Sequence, residues 1–223
     1  MRKQDCVLIA LNLVSWFAKV DSNTIKSQIA SDLLVFVVGI SGSGKDTIMR
    51  KASDNLFIEE IPVNILRRDI TRSPDKTEES LYVSEEEFLI KKSREEYALS
   101  WYVYNNWYGC PRTLLEVPLQ RGEVVLVNVS RNILSEARDK YPESKIVLID
   151  VPINIAEKRI KTRGRETDYL LNERQIRMHA KIDMLPPDKV VQNDSDLEKA
   201  VNELTDYLKT LYLNFKQKKG SDQ

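Results

Sequence analysis

The chain has 223 residues, of which 42% are apolar and 30% are charged, as expected of one globular domain with a buried core. Its 34 basic and 34 acidic residues give a formal net charge of zero, which argues against a dedicated nucleic-acid-binding protein. A single histidine excludes a metal site built from histidines, and two cysteines without metal-type spacing indicate free thiols in a reducing compartment.

Residues 1–32 are predicted to form a helical extension. Residues 6–18 are mostly apolar and follow a short, positively charged start. This stretch has about the length of a secretory hydrophobic region but is too short to span a membrane. The residues that follow do not match a typical signal-peptide cleavage site. We therefore favour an amphipathic or buried helix over residues 6–20, with a targeting or membrane-leaning segment as the alternative. We therefore expect a cytoplasmic protein without a membrane partner, and the sequence leaves open whether it is a monomer or a homodimer.

A phosphate-binding loop follows, between a strand and a helix. Residues 33–38 are apolar and predict a buried strand, and a helix is predicted from about residue 45 to 54. The loop between them has the pattern G-x-x-x-x-G-K and comprises Gly39, Ile40, Ser41, Gly42, Ser43, Gly44, Lys45, Asp46 and Thr47. Glycines let backbone N–H groups converge on phosphate oxygens, and the helix N-terminus favours the same anion. The loop therefore predicts ATP binding, with Lys45 on the outer phosphates.

One position departs from the usual loop pattern. A Ser or Thr normally follows the lysine and holds Mg²⁺ through its hydroxyl, whereas here Asp46 follows the lysine and Thr47 comes next. A carboxylate is a hard oxygen donor that suits Mg²⁺, directly or through a water. The sequence thus predicts a magnesium site and leaves open whether Asp46 or Thr47 contacts the metal.

The segments after the first helix predict a small sheet and an anion site. Residues 67–74 hold three arginines before a proline turn, which favours a phosphate site, with a solvated basic loop as the alternative. Ser84 is predicted to cap a helix, with Glu87 completing a capping box. Residues 97–108 are rich in aromatic residues and predict two short strands around an Asn105-Asn106 turn, followed by a helix over residues 111–120.

The second half of the chain alternates strands and helices. Strands are predicted over residues 123–131, 145–151 and 189–191, and helices over residues 133–141, 153–162, 170–184 and 197–215, with a frayed tail at residues 216–223. This order predicts an α/β fold, a parallel sheet flanked by helices. Asn128, Ser130 and Arg131 follow a buried strand, where ligands gather in such sheets. Arg159, Arg163 and Arg165 are expected to neutralise charge on a transferred phosphoryl group.

Four segments together resemble the guanylate-kinase-like branch of the P-loop kinases. They are residues 39–47, Ile70-Thr71-Arg72, Tyr108-Gly109 and Arg163-Gly164-Arg165. The resemblance implies a P-loop kinase domain over residues 33–215. Within this domain, the resemblance implies an acceptor-binding β subdomain at about residues 67–120 and a lid at about residues 159–177.

Within this branch the chain is more similar to the kinases that phosphorylate ribose 1,5-bisphosphate. The similarity rests on Gly-Lys-Asp in the loop and on residues 98–101, 126–131, 163–166 and 193–194. It implies transfer of the γ-phosphoryl group of ATP to the 1-phosphate of ribose 1,5-bisphosphate. The products would be ADP and 5-phosphoribosyl 1-diphosphate (PRPP), in phosphonate metabolism. Ser100 and Asn128 stand where guanylate kinases carry the Glu and Asp that read guanine, so we expect guanine to be rejected.

The resemblance also implies roles for individual residues. Lys45, Arg163 and Arg165 would be catalytic. The acceptor-binding residues would be Arg68, Arg72, Ser100, Tyr108, Asn128, Arg131, Arg159 and Arg174. Two alternatives stay open: a guanylate or other nucleoside monophosphate kinase, and a non-catalytic binding module of the same fold. The lysine and the lid arginines argue against the module, because such modules tend to lose them.

Overall fold

A computed structural model describes residues 30–73, 80–163 and 184–221. The predicted N-terminal helix, the predicted helix over residues 170–184, Arg165 and Arg174 lie outside the described residues, as does the side chain of Arg163. Within the described residues, no helix is both long enough and apolar enough to cross a membrane.

Strands and helices alternate through the described residues, with short 3-10 turns at Ser31–Leu33 and Arg131–Ile133. The strands are β1 (Leu34–Val38), β2 (Val63–Ile65), β3 (Arg68–Ile70), β4 (Ser80–Tyr82), β5 (Tyr97–Val103), β6 (Asn106–Pro111), β7 (Val124–Asn128), β8 (Lys145–Asp150) and β9 (Lys189–Gln192). The helices are α1 (Lys45–Ile58), α2 (Glu85–Ser93), α3 (Arg112–Gln120), α4 (Leu134–Lys140), α5 (Ile153–Arg163) and α6 (Leu197–Ser221).

Five parallel strands form the central sheet in the order β2-β7-β1-β8-β9. All five residues of β1 are buried, and so are the first four of β7, which explains why both strands read as unbroken apolar runs. The predicted α/β fold is confirmed. The register places Val37 of β1 beside Asn128 of β7, so the end of β7 lies next to the start of the phosphate loop.

A second, four-stranded sheet has the order β4-β3-β6-β5. Strands β5 and β6 form the predicted hairpin, and the predicted aromatic pairing is present: the rings of Trp101 and Tyr108 stack with centroids 5.5 Å apart. The hairpin turn lies one residue earlier than predicted, because Tyr104 and Asn105 adopt the positive φ angles of the turn, 51° and 55°.

Helix α2 packs on this small sheet through a buried polar cluster. The predicted cap is present: the Ser84 hydroxyl accepts a hydrogen bond from the Glu87 N–H at 3.1 Å. Asp69, buried in β3, accepts hydrogen bonds from the Tyr97 hydroxyl at 2.8 Å and from the Lys91 ammonium of α2 at 3.1 Å. Burial and the bond to Asp69 raise the pKa of Tyr97, which stays neutral and acts as the donor. The cluster fixes β3, the strand that also carries Arg68.

Two helices run longer than predicted. Helix α1 continues from residue 54 to Ile58, and its last two residues, Phe57 and Ile58, are 82% and 80% exposed. Helix α6 continues from residue 215 to Ser221, six residues into the segment predicted to be frayed. Lys218 and Lys219 occupy its last turn, where positive charge favours the helix dipole.

Candidate active site

The phosphate loop has a backbone that only glycine accommodates at two positions. Gly42 and Gly44 have φ angles of 78° and 87°. A Cβ on Gly42 would come within 2.6 Å of the Ala156 carbonyl oxygen, and one on Gly44 within 2.5 Å of Asn193 Nδ2. The loop is therefore packed closely between α5 and the end of β9, and α1 starts directly after it.

Lys45 reaches back over this loop. Its ammonium group donates hydrogen bonds to the Gly39 carbonyl at 3.0 Å, to the Ile40 carbonyl at 3.2 Å and to the Ser43 hydroxyl at 3.4 Å. These contacts hold the positive charge at the loop whose pattern predicts phosphate binding.

A cavity of about 750 Å³ opens on one side of the loop. It is lined by Gly42, Gly44, Thr47, Asn154, Ile155, Lys158, Arg159, Thr162, Asn193 and Leu197. Arg159 donates to the Gly42 carbonyl at 3.5 Å and to the Asn193 carbonyl at 3.2 Å. Arg159 thus lies against the phosphate loop, because α5 presents this face to it. Its predicted roles in acceptor binding and in neutralising the transferred group stay predictions.

Asn193 was not among the predicted site residues, because its sequence context indicates only a turn. It is 2% exposed and follows β9 at the carboxyl end of the central sheet. Its backbone N–H donates to the Asp150 carbonyl at 2.8 Å, and its Nδ2 donates to the Ser43 carbonyl at 2.7 Å. Its buried Oδ1 has no hydrogen-bond partner. The position after a sheet strand was the signal that could have identified it.

Asp46 and Thr47 point to different parts of the site. Asp46 Oδ1 accepts a hydrogen bond from Asn128 Nδ2 at 2.8 Å, at the end of β7. Thr47 lines the cavity beside α5. No group of three His, Cys, Asp or Glu residues gathers in the part of the chain that the structure describes. Magnesium at phosphoryl-transfer sites needs only one or two carboxylates, because substrate phosphates and water complete its shell, so Asp46 fits this metal.

Arg68 connects the small sheet to the central sheet. It is 5% exposed, and its Nη1 donates to the Asn128 carbonyl at 2.9 Å. Its guanidinium carbon lies 5.7 Å from the centre of the Tyr108 ring. An arginine keeps its charge when buried, so the structure places a permanent positive charge near the carboxyl end of β7.

Ser80 is a second residue that sequence reasoning did not select. It pairs with Arg68 in the register of β3 and β4, which places both side chains on the same face of the small sheet. Ser80 is 5% exposed and its hydroxyl has no hydrogen-bond partner. A buried hydroxyl without a partner is rare in proteins.

The other predicted acceptor residues lie in or directly after strands of the two sheets. Ser100 is half-buried opposite Gly109 and adjoins the Trp101–Tyr108 stack in sequence. Arg72 follows β3 and donates to the Ser73 carbonyl at 3.0 Å. Arg131 begins the 3-10 turn after β7.

Comparisons with known proteins agree on the family. A family model described as guanylate kinase matches residues 31–211. The chain is 40% identical over 145 residues to a ribose 1,5-bisphosphate phosphokinase PhnN of Desulfomicrobium baculatum, covering 65% of this chain and 76% of that protein. It is 37% identical over 170 residues to the protein of the same name from Acidiphilium cryptum, covering 76% and 88%.

A solved structure shows the same fold. The guanylate kinase of Anaplasma phagocytophilum superposes with a TM-score of 0.54 at 21% sequence identity, covering 79% of this chain and 85% of that chain. The family model matches residues 31–211, and the phosphate loop and the two sheets agree with it. The chain therefore belongs to the guanylate kinase family.

Proposed function

We propose that this protein transfers the γ-phosphoryl group of ATP to the 1-phosphate of ribose 1,5-bisphosphate, forming PRPP and ADP. An oxygen of the 1-phosphate attacks the γ-phosphorus, and the bond from that phosphorus to the β–γ bridging oxygen breaks. The observation that carries the proposal is the buried Arg68, held beside the end of β7 in a chain whose relatives are named for this acceptor. A fixed charge there suits an acceptor that brings phosphate to the site.

On the donor side, the glycines and Lys45 bind the phosphates of ATP, and the cavity beside α5 takes the rest of the nucleotide. We therefore place Arg159 with the donor, because it contacts the loop at Gly42 and the cavity residue Asn193. When bound, Mg²⁺ would offset the phosphate charge. Asp46 would hold it near Asn128, while Thr47 would serve the nucleotide in the cavity.

On the acceptor side, Arg68, Arg72 and Arg131 bind the two phosphates, with Tyr108 and Ser100 completing the pocket. The unpartnered Ser80 hydroxyl, on the same sheet face as Arg68, supplies a further hydrogen bond to an acceptor phosphate. The attacking oxygen is already anionic at neutral pH, so the site needs no strong general base. Its residues act by positioning the substrates and neutralising charge.

The transferred group itself is neutralised by Lys45 and by the lid arginines, Arg163, Arg165 and Arg174, which we assign from the sequence. Closure of such a lid excludes water and so favours transfer over hydrolysis. With ATP as donor, we expect the reaction to take place in the cytoplasm.

The alternative is a guanylate or other nucleoside monophosphate kinase, with which the family match is compatible only at the level of the family. A coupled ADP-release assay with MgATP, comparing ribose 1,5-bisphosphate with GMP, AMP and dTMP, separates the two. We expect turnover of the sugar bisphosphate and little of the nucleotides. Faster turnover of GMP would overturn the proposal and show that Ser100 and Asn128 do not exclude guanine. A parallel preparation of Lys45→Ala corrects for contaminating kinases.

A further inference from the structure

Asn128 contacts both sides of the site through two different groups. Its side-chain Nδ2 donates to Asp46 Oδ1 on the phosphate loop at 2.8 Å. Its backbone carbonyl accepts from Arg68 Nη1 at 2.9 Å. The side chain of Asn128 therefore contacts the phosphate loop, where we place the donor, and its carbonyl contacts Arg68, which we assign to the acceptor. A substitution of the side chain changes only the contact with the loop.

We propose that Asn128 is a positioning residue that orients the Asp46 carboxylate toward Mg²⁺; this inference rests on the proposed function. The hydrogen bond engages Oδ1 and leaves Oδ2 for the metal. An amide is suited to this task because it donates a hydrogen bond to a carboxylate and adds no charge. Partners that orient a metal-binding carboxylate in this way typically change metal affinity about 10- to 100-fold when removed.

The hydrogen bond between Asn128 and Asp46 contributes little to holding the fold together. Asn128 is only half-buried, whereas the strand that carries it is already held by ladder pairing on both sides, with β1 and β2. Asp46 is likewise fixed by its position in the first turn of α1. Loss of one partly exposed hydrogen bond should change the stability of the fold little, so its main effect should fall on the orientation of Asp46.

A double-mutant cycle tests this inference by the binding of ADP, with and without Mg²⁺, measured by isothermal titration calorimetry. The proteins are the wild type, Asn128→Ala, Asp46→Asn and the double variant. We expect each single variant to lose about tenfold of the affinity that Mg²⁺ adds, while ADP binding in EDTA is unchanged. The double variant should lose no more than Asp46→Asn alone, because both changes remove one function.

Asn132→Ala is the matched control, since Asn132 is an exposed asparagine four residues further along the chain. Asn128→Ser, with a side chain too short to reach Asp46, serves as a second variant, and thermal melts verify folding. Unchanged Mg²⁺ dependence in Asn128→Ala and Asn128→Ser, or additive losses in the double variant, would overturn the inference. That outcome would leave the proposed function intact, which fails only if the wild type does not turn over ribose 1,5-bisphosphate.

Discussion

At the scale of single residues, the site depends on charges held at fixed points. Lys45 is held at the phosphate loop by three oxygens, and Arg68 is buried at the end of β7. Both positive charges are in place within the described residues, and the Lys45 ammonium exchanges hydrogen bonds to loop oxygens for bonds to phosphate when the nucleotide binds. Preorganised charge of this kind is the largest single contribution to many phosphoryl transfers.

Replacing Lys45 by Ala should lower kcat about a hundredfold or more, as for loss of one donor that stabilises the transition state. The coupled ADP-release assay measures this effect. Lys51→Ala is the control, because Lys51 lies on the same helix, is exposed and pairs with Glu198. A Lys45→Ala enzyme with full activity would contradict the role of the loop.

Replacing Ser80 by Ala should raise the KM for ribose 1,5-bisphosphate about tenfold, because a hydrogen bond to a charged phosphate is lost. Thermal stability should stay the same or rise, since the hydroxyl that is removed has no protein partner. The comparison variant is Ser93→Ala, whose exposed hydroxyl on α2 donates to the Ile90 carbonyl. If the Ser80 variant melts lower and binds the acceptor normally, Ser80 has only a structural role.

At the scale of elements, α5 and β9 decide what the phosphate loop faces. Helix α5 brings Arg159 to the loop, and the residue after β9 brings Asn193 to it. Sequence spacing shows that Arg159 and Arg163 share a helical face, but it cannot show which neighbour that face meets. For this reason the loop was predictable, whereas the contact of Arg159 with the loop became visible only in three dimensions.

The donor assignment of Arg159 has a kinetic signature. Arg159→Ala should raise the KM for ATP about tenfold, because a charged contact near the nucleotide is lost, and leave the KM for the acceptor nearly unchanged. Initial rates with each substrate varied in turn measure both constants. Lys161→Ala, an exposed cation on the same helix, controls for net charge. A rise in the acceptor KM alone would restore the acceptor role that the sequence predicts.

Helix α2 and the small sheet depend on the buried Asp69. Tyr97→Phe should lower the free energy of unfolding by about 1–3 kcal/mol, because Asp69 loses a donor while buried. Burial raises the pKa of Tyr97, so its share of stability is complete below the ordinary tyrosine pKa of about 10 and is lost as pH rises above it.

Urea unfolding between neutral pH and about pH 11 measures this effect. Stability of the wild type should fall above about pH 10, and the fall should be smaller in Tyr97→Phe. Tyr102→Phe, on the same hairpin with an exposed side chain, is the control. An identical pH dependence in wild type and Tyr97→Phe would contradict the proposed cause.

At the scale of the whole molecule, the order of strands and helices was predictable because each is marked by local pattern. Apolar runs predict β1 and β7, and glycine spacing predicts the loop between β1 and α1. The ends of α1 and α6 were not predictable, since exposed Phe57 and the lysine-rich final turn give no stop signal. Ser80 was missed because an unpartnered buried oxygen is a property of the folded chain and not of the sequence, whereas Asn193 could have been identified from its position after a strand.

The central claim is the identity of the acceptor, and the most direct test is phosphorus NMR of a reaction containing the protein, MgATP and ribose 1,5-bisphosphate. The account predicts that the signal of the sugar 1-phosphate disappears while a sugar diphosphate and ADP form in equal amounts. Release of inorganic phosphate without a sugar diphosphate, or transfer to GMP in preference to the sugar in a mixed reaction, would contradict it.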